Sequence, residues 1–187
     1  MVKKIVVLCL IIFSILIIYF KFFFKEKTIV KKINDTTTNS YNSNLLENVE
    51  YISKDSKGNQ YIIRAKIGEI DLENNNIIFL TEVRSYIKLT TSEEIKITSN
   101  FGKYNTSNYD TIFSKNVVIN YLENTITGEY LDFSLERNSM IISKNIVFTN
   151  LENVLKADVI EIKIDTKDTK IYMYENEKKV NIKNKNF

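Results

Sequence analysis

The chain has 187 residues, with 26 Lys and Arg against 23 Asp and Glu, no His, no Pro, no Trp, one Cys and four Gly. That length suits one domain with an accessory segment. Without His there is no Ser-His-Asp triad, no imidazole base and no His-containing zinc site, and a single Cys permits neither an internal disulfide nor a Cys metal cluster, so the composition points away from an enzyme and implies no metal and no cofactor.

Residues 1–24 read as a membrane anchor. After Lys3-Lys4, Ile5 to Phe20 carries no charge, and Lys21 precedes Phe22-Phe23-Phe24. The 20 residues from Ile5 to Phe24 would span the roughly 30 Å apolar core of a bilayer as a helix, with Lys21 snorkelling at one end. A cleaved signal peptide would need small residues before the cleavage point, and the chain holds only Ala65 and Ala157 as alanines. Lys21, Lys25, Lys27, Lys31 and Lys32 follow the span and outnumber Lys3 and Lys4 before it. The positive-inside rule alone therefore favours a cytoplasmic C-terminal part, but a chain rich in Lys throughout weakens that rule and leaves the side open. Cys9 lies within the span and reads as a small packing residue.

Residues 25–44 are polar and poor in large apolar side chains, and read as a tether. From residue 45 to 187 short alternating runs rich in Ile, Val, Thr, Tyr and Phe are broken by turn clusters such as Asp55-Ser-Lys-Gly-Asn59, which predicts an all-β domain.

That domain repeats itself. Phe113 to Leu135 aligns with Ile142 to Ile164 at an offset of 29, matching Ser114-Lys115-Asn116 with Ser143-Lys144-Asn145. Apolar anchors recur at Val49, Val83, Val117, Ile146 and Val180, and small residues recur in step at Ala65, Ser99, Gly128 and Ala157. Each unit thus holds two strands. In the second, the period-2 alternation loses a residue of phase, expected between Ile67 and Ile70, Phe101 and Tyr104, Tyr130 and Phe133, and Val159 and Ile162. A slip at the same place in every unit requires a bulge or corner there. The expected fold is a repeat-built β-jelly roll or folded β-solenoid with one N-terminal transmembrane helix.

Ile63, Ala65, Ile67, Val83, Ile97, Phe101, Val117, Ile119, Ile126, Gly128, Tyr130, Ile146, Phe148 and Val159 are expected inside, either as plain core or as the lining of a trough for alkyl chains. The open edges fall near Val49 and Tyr51 at one end and Ile171, Tyr172, Val180 and Ile182 at the other, available for strand addition or blunted by nearby lysines. Glu93-Glu94 and Asp110, the carboxylates an anchored enzyme would need, read as solvated surface.

The order of anchor, tether and β domain, the run Asn48-Val49-Glu50-Tyr51 through Arg64-Ala65, and Asn116-Val117 with Ile126-Thr127-Gly128 and Ala157-Asp158 resemble the LptC family and the OstA-like repeats it shares with the bridge protein LptA. The resemblance implies lipopolysaccharide transport to the outer membrane, with acyl chains in a β groove. It implies an inner-membrane, single-pass protein with its domain in the periplasm. Its partners would be lipopolysaccharide, the inner-membrane ABC transporter and, by edge-strand addition, an LptA-like bridge protein, with no nucleic acid. A membrane-anchored scaffold that binds only proteins is the alternative. Lys3, Lys4 and Lys21 account for the chain's whole excess of positive charge, since 23 basic residues meet 23 acidic ones from residue 25 onward.

Overall fold

A computed structural model describes residues 44–185 except 56, 91, 92, 176 and 178. The expected anchor of residues 1–24 and nearly all of the tether lie outside the described residues. Among the described residues no helix is long and apolar enough to cross a membrane.

The described chain is all β. Ten strands form one antiparallel sheet: β1 (Leu45–Lys54), β2 (Gln60–Ile70), β3 (Ile77–Lys88), β4 (Ile95–Asn105), β5 (Thr111–Tyr121), β6 (Asn124–Ser134), β7 (Ser139–Thr149), β8 (Asn153–Lys163), β9 (Thr169–Tyr172) and β10 (Asn181–Asn184). From β1 to β8 each strand pairs with the next, and β8's far edge is shared by β9 and β10. Short polar turns make this meander. At the β1–β2 turn the Asp55 carboxylate accepts hydrogen bonds from the backbone N–H groups of Lys57 and Asn59, from the Asn59 side chain and from the Tyr61 hydroxyl, at 2.7–3.0 Å.

Every long strand turns a corner near its middle, so that the one sheet folds into two facing leaves. The odd-numbered strands make the turn with left-handed backbone at Asn48, Glu82, Lys115-Asn116 and Lys144-Asn145. Each lies just before an anchor of the repeat, Val49, Val83, Val117 or Ile146. Asn tolerates this conformation better than most residues, which suits three of the four corners. β5 and β7 each carry an extra residue there, producing register shifts against both neighbours, whereas β3 turns without one.

On the even-numbered strands the slip comes one step earlier than the apolar pattern suggests. Inward positions run Ala65 to Gly68, Ser99 to Gly102, Gly128 to Leu131 and Ala157 to Ile160. Gly68 and Gly102 are thus themselves inward, packed on Val49 and Val83, and a Cβ at either would lie 3.2 Å from a valine methyl. Phe101 consequently leaves the interior. It is 42% exposed and shares an outer row with Thr81 and Ser114.

The first leaf comprises the stretch of each strand from residues 49–54 of β1 to 153–157 of β8, with β10. The second comprises the remaining halves and β9. Tyr51 of β1 in the first leaf stacks on Tyr104 of β4 in the second, with ring centroids 5.0 Å apart. Tyr61 of β2 meets Phe133 of β6 at 5.7 Å. The leaves are therefore staggered, each strand of the first facing a strand three or four places further along in the second. Ile97, Leu80, Phe113, Leu131, Ile142 and Val117 complete a continuous core.

Candidate functional site

The stagger has a direct consequence for the interior. Toward the N-terminal strands, the first leaf is covered by the second and the space is closed. Tyr51, Tyr61, Tyr104, Phe113 and Phe133 meet there around a void of only about 10 Å³. Burial, the leading cause, holds the Tyr61 and Tyr104 hydroxyls well above the ordinary phenol pKa, reinforced at Tyr61 by the Asp55 carboxylate. Toward the C-terminal strands the first leaf runs on past the last full strand of the second, and its inward face is left partly uncovered.

That is where an apolar cavity of about 380 Å³ opens. Its floor is Ile119, Ile126, Phe148 and Leu155 from the first leaf, and its opposite wall is Met140, Ile160, Ile162, Ile164 and Ile171 from the second. Leu89 and Ile95 close its inner end beside the filled core. The polar groups gather at the strand ends: Asn124, Lys163, Lys167 and Thr169. Lys167 has left-handed backbone in the β8–β9 turn. Its ammonium reaches across to the other leaf, 3.4 Å from the Tyr121 hydroxyl and 5.6 Å above the Tyr121 ring. Lys163 sits beside it, its ammonium 3.9 Å from Glu161. The arrangement is an apolar slot with two cations at one margin. Chemically it can take an alkyl chain and hold an anionic group outside it; among the described residues there is no cluster of His, Cys, Asp or Glu that could hold a metal.

The expected interior residues divide into three groups. Ile119, Ile126 and Phe148 line the cavity. Ile63, Ala65, Val83, Ile97, Val117, Gly128 and Ile146 are buried at or near the corners, within packed core. Ile67, Phe101, Tyr130 and Val159 belong to one outer row, which also holds Thr81, Ser114, Ser143 and Tyr172; of the four, Val159 is nevertheless buried, at 3% exposure, as expected. Lys115 places its ammonium 5.3 Å above the Phe101 ring on that outer side. Leu89, Ile95, Met140, Leu155, Ile160 and Ile164 were not singled out by the repeat, and Ile162 was marked only as the far side of a phase slip. Their apolar alternation was visible, but nothing in one strand's sequence states which strand faces it across a staggered fold.

The two edges differ. Among the described residues β1 is an edge strand of 10 residues, with Tyr51 buried and Val49 half-buried. The far edge is split, because β9 pairs with the second-leaf half of β8 and β10 with the first-leaf half. Between them no ladder pair forms opposite Ala157 and Asp158 among the described residues, and the Tyr174 N–H donates to the Asp158 carboxylate at 3.0 Å. Val180, expected as a fifth anchor, falls between β9 and β10 and not in a strand. Ile171 lines the cavity, Tyr172 is exposed, and Ile182 in β10 is 65% exposed.

Residues 6–187 match the family model described as "Lipopolysaccharide-assembly, LptC-related". No curated protein matches the chain.

Proposed function

The chain belongs to the LptC-related lipopolysaccharide-assembly family, and from that premise we propose that it binds lipopolysaccharide with acyl chains in the cavity between β5–β8 and β9. The observation that carries this reading is the cavity itself: about 380 Å³ of apolar space, open toward the C-terminal edge and bordered by Lys163 and Lys167. Each methylene transferred from water into it contributes about 0.8 kcal/mol, so a few carbons already give useful affinity. The lysines offer charge-assisted hydrogen bonds to phosphate outside the slot.

The protein makes and breaks no bond in this scheme. It takes lipid from an inner-membrane ABC transporter and passes it toward a bridge protein whose edge strand adds to the C-terminal edge. Strand addition there requires β10 to yield, because β10 occupies the first-leaf half of β8 through only four residue pairs. The domain lies in the periplasm, with residues 1–24 as its inner-membrane anchor. A topology reporter fused after Phe187 should be active in the periplasm; a cytoplasmic signal would end the lipid-export reading.

Binding is tested by a nitroxide at Ile126→Cys, with Cys9 replaced by Ser. Added lipopolysaccharide should immobilise that label and leave one at Lys96→Cys unchanged. The closed interior of the N-terminal strands is what a scaffold binding only proteins would show throughout, and under that second reading neither label would respond.

A further inference from the structure

The domain is formally neutral from residue 25 onward, yet its charge is not evenly spread. Lys54, Arg64, Lys66, Arg84, Lys88 and Lys96 all project from the outer side of β1–β4 in the first leaf and its corner. Four acids lie among them: Glu50 pairs with Arg64, Glu82 with Lys66 and Glu94 with Lys88, and Glu47 stands opposite Ile67 at the corner. Glu93 lies beyond the face, at the β3–β4 hairpin tip. Lys54, Arg84 and Lys96 are left without an ion-pair partner among the described residues. The second leaf's outer side mixes both signs, with Glu69, Asp132 and Glu161 beside Lys103 and Lys170.

Arg84 is, among the described residues, an unpaired cation of a basic cluster in which Arg64 is already held by Glu50. It stands directly opposite Arg64 in the β2–β3 register and diagonal to Lys96 across β3–β4, where Lys96 opposes Tyr86. Like charges so arranged repel unless an anion lies between them. Arg84 and Lys96 also border a shallow polar recess of about 720 Å³, with Thr98, Asn100 and Asn116 as further hydrogen-bonding groups and Glu82, held by Lys66, at its rim.

We propose that this face lies on anionic lipid headgroups, with phosphate seated between Arg84 and Lys96. The occupant follows from charge complementarity and from where the chain outside the structure ends. Residues 1–43 lead into β1, the first strand of the basic face, and their sequence contains an apolar run of bilayer length ending at Phe24. A polar chain of the 20 residues from 25 to 44 would, as a random coil, have a root-mean-square span of roughly 25 Å, which would keep β1–β4 within reach of the membrane surface. The surface is distinct from the cavity of the proposed function and faces away from it.

The test uses the full chain with Cys9→Ser, reconstituted in vesicles and labelled with a fluorophore at Asn120→Cys, beside Lys96 on the outer face. Quenching by headgroup-spin-labelled lipid should be strong in vesicles containing phosphatidylglycerol and weak in phosphatidylcholine alone. R84Q with K96Q should weaken association roughly thirtyfold, since each basic residue near an anionic surface contributes about fivefold and the two factors multiply, while R84K with K96R retains it. Added inorganic diphosphate should compete. Equal quenching in neutral vesicles, or no response to R84Q with K96Q, would overturn the proposal. Lipopolysaccharide crosslinking from Phe148 in R84Q with K96Q reads the cavity separately, and is expected to be unchanged.

Discussion

Tyr61 on β2 and Phe133 on β6 hold their ring centroids 5.7 Å apart, although three strands separate them in the sheet. This contact fixes the stagger between the leaves. It explains why the interior is filled under the N-terminal strands and open under the C-terminal ones. Phe133→Ala should therefore cost about 3–5 kcal/mol, the range for a large buried aromatic with no room to collapse. Phe148→Ala, the same change in a half-buried residue on the cavity wall, should cost well under half of that. Urea denaturation of both variants checks the difference.

The corners make a second comparison. A Cβ on Gly128 would meet the Ile142 side chain at 3.0 Å, whereas on Gly68 it would meet Val49 at 3.2 Å. Ile142 is wholly buried and cannot move far, while Val49 belongs to the strand at the edge of the described sheet. Gly128→Ala should lower stability by about 1–3 kcal/mol and Gly68→Ala by less. A charged residue at Gly128 or Ala65 would disrupt the core itself, so neither position can serve as a selective block of the lipid path.

Backbone conformation at the corner of β7 is separately testable. Asn145 has φ of 55°. Asn145→Gly should leave stability unchanged or raise it slightly, whereas Asn145→Val should cost about 1–2 kcal/mol through its Cβ branching in left-handed backbone. Thermal melts of the two variants give the sign.

Alkaline pH acts on the closed half. Burial raises the Tyr51, Tyr61 and Tyr104 pKa values above 10.0. The folded state thus holds these protons more tightly than the unfolded chain. Their contribution to stability is fully present below pH 10 and falls as pH rises through the elevated folded-state values. Stability measured against pH should drop above 10, and Tyr104→Phe should flatten that drop.

Much of this architecture was legible in the sequence. The anchors Val49, Val83, Val117 and Ile146 and the small residues Ala65, Ser99, Gly128 and Ala157 do mark a corner in each strand, because a period-2 pattern cannot change phase without one. Phe101 shows where the pattern misleads: its side chain continues the alternation by one residue after the backbone has already turned, and Gly102, with no side chain to register, takes the inward place. Val180 kept the repeat spacing but lies outside the strands, between β9 and β10. The cavity was only half visible. Ile119, Ile126 and Phe148 were named from their own strands, but Met140, Ile160, Ile162 and Lys167 become part of the same site only through the stagger of the leaves.

The rim lysines should matter to the ligand more than to the fold. Lys167 contacts the exposed margin at Tyr121, so Lys163→Gln with Lys167→Gln should leave the melting temperature nearly unchanged. It should weaken lipopolysaccharide binding about tenfold, the loss expected when charge-assisted hydrogen bonds to phosphate are removed. Titration of labelled lipopolysaccharide into the full chain measures it.

The most direct test places a photo-crosslinking amino acid at Phe148 and, in parallel, at Phe101 and Asn100. Phe148 lines the cavity, and Phe101 and Asn100 are exposed on the outer side. Lipopolysaccharide should crosslink from Phe148 and from neither of the others. Crosslinks from Phe101 or Asn100 with none from Phe148 would contradict passage of the lipid between the leaves.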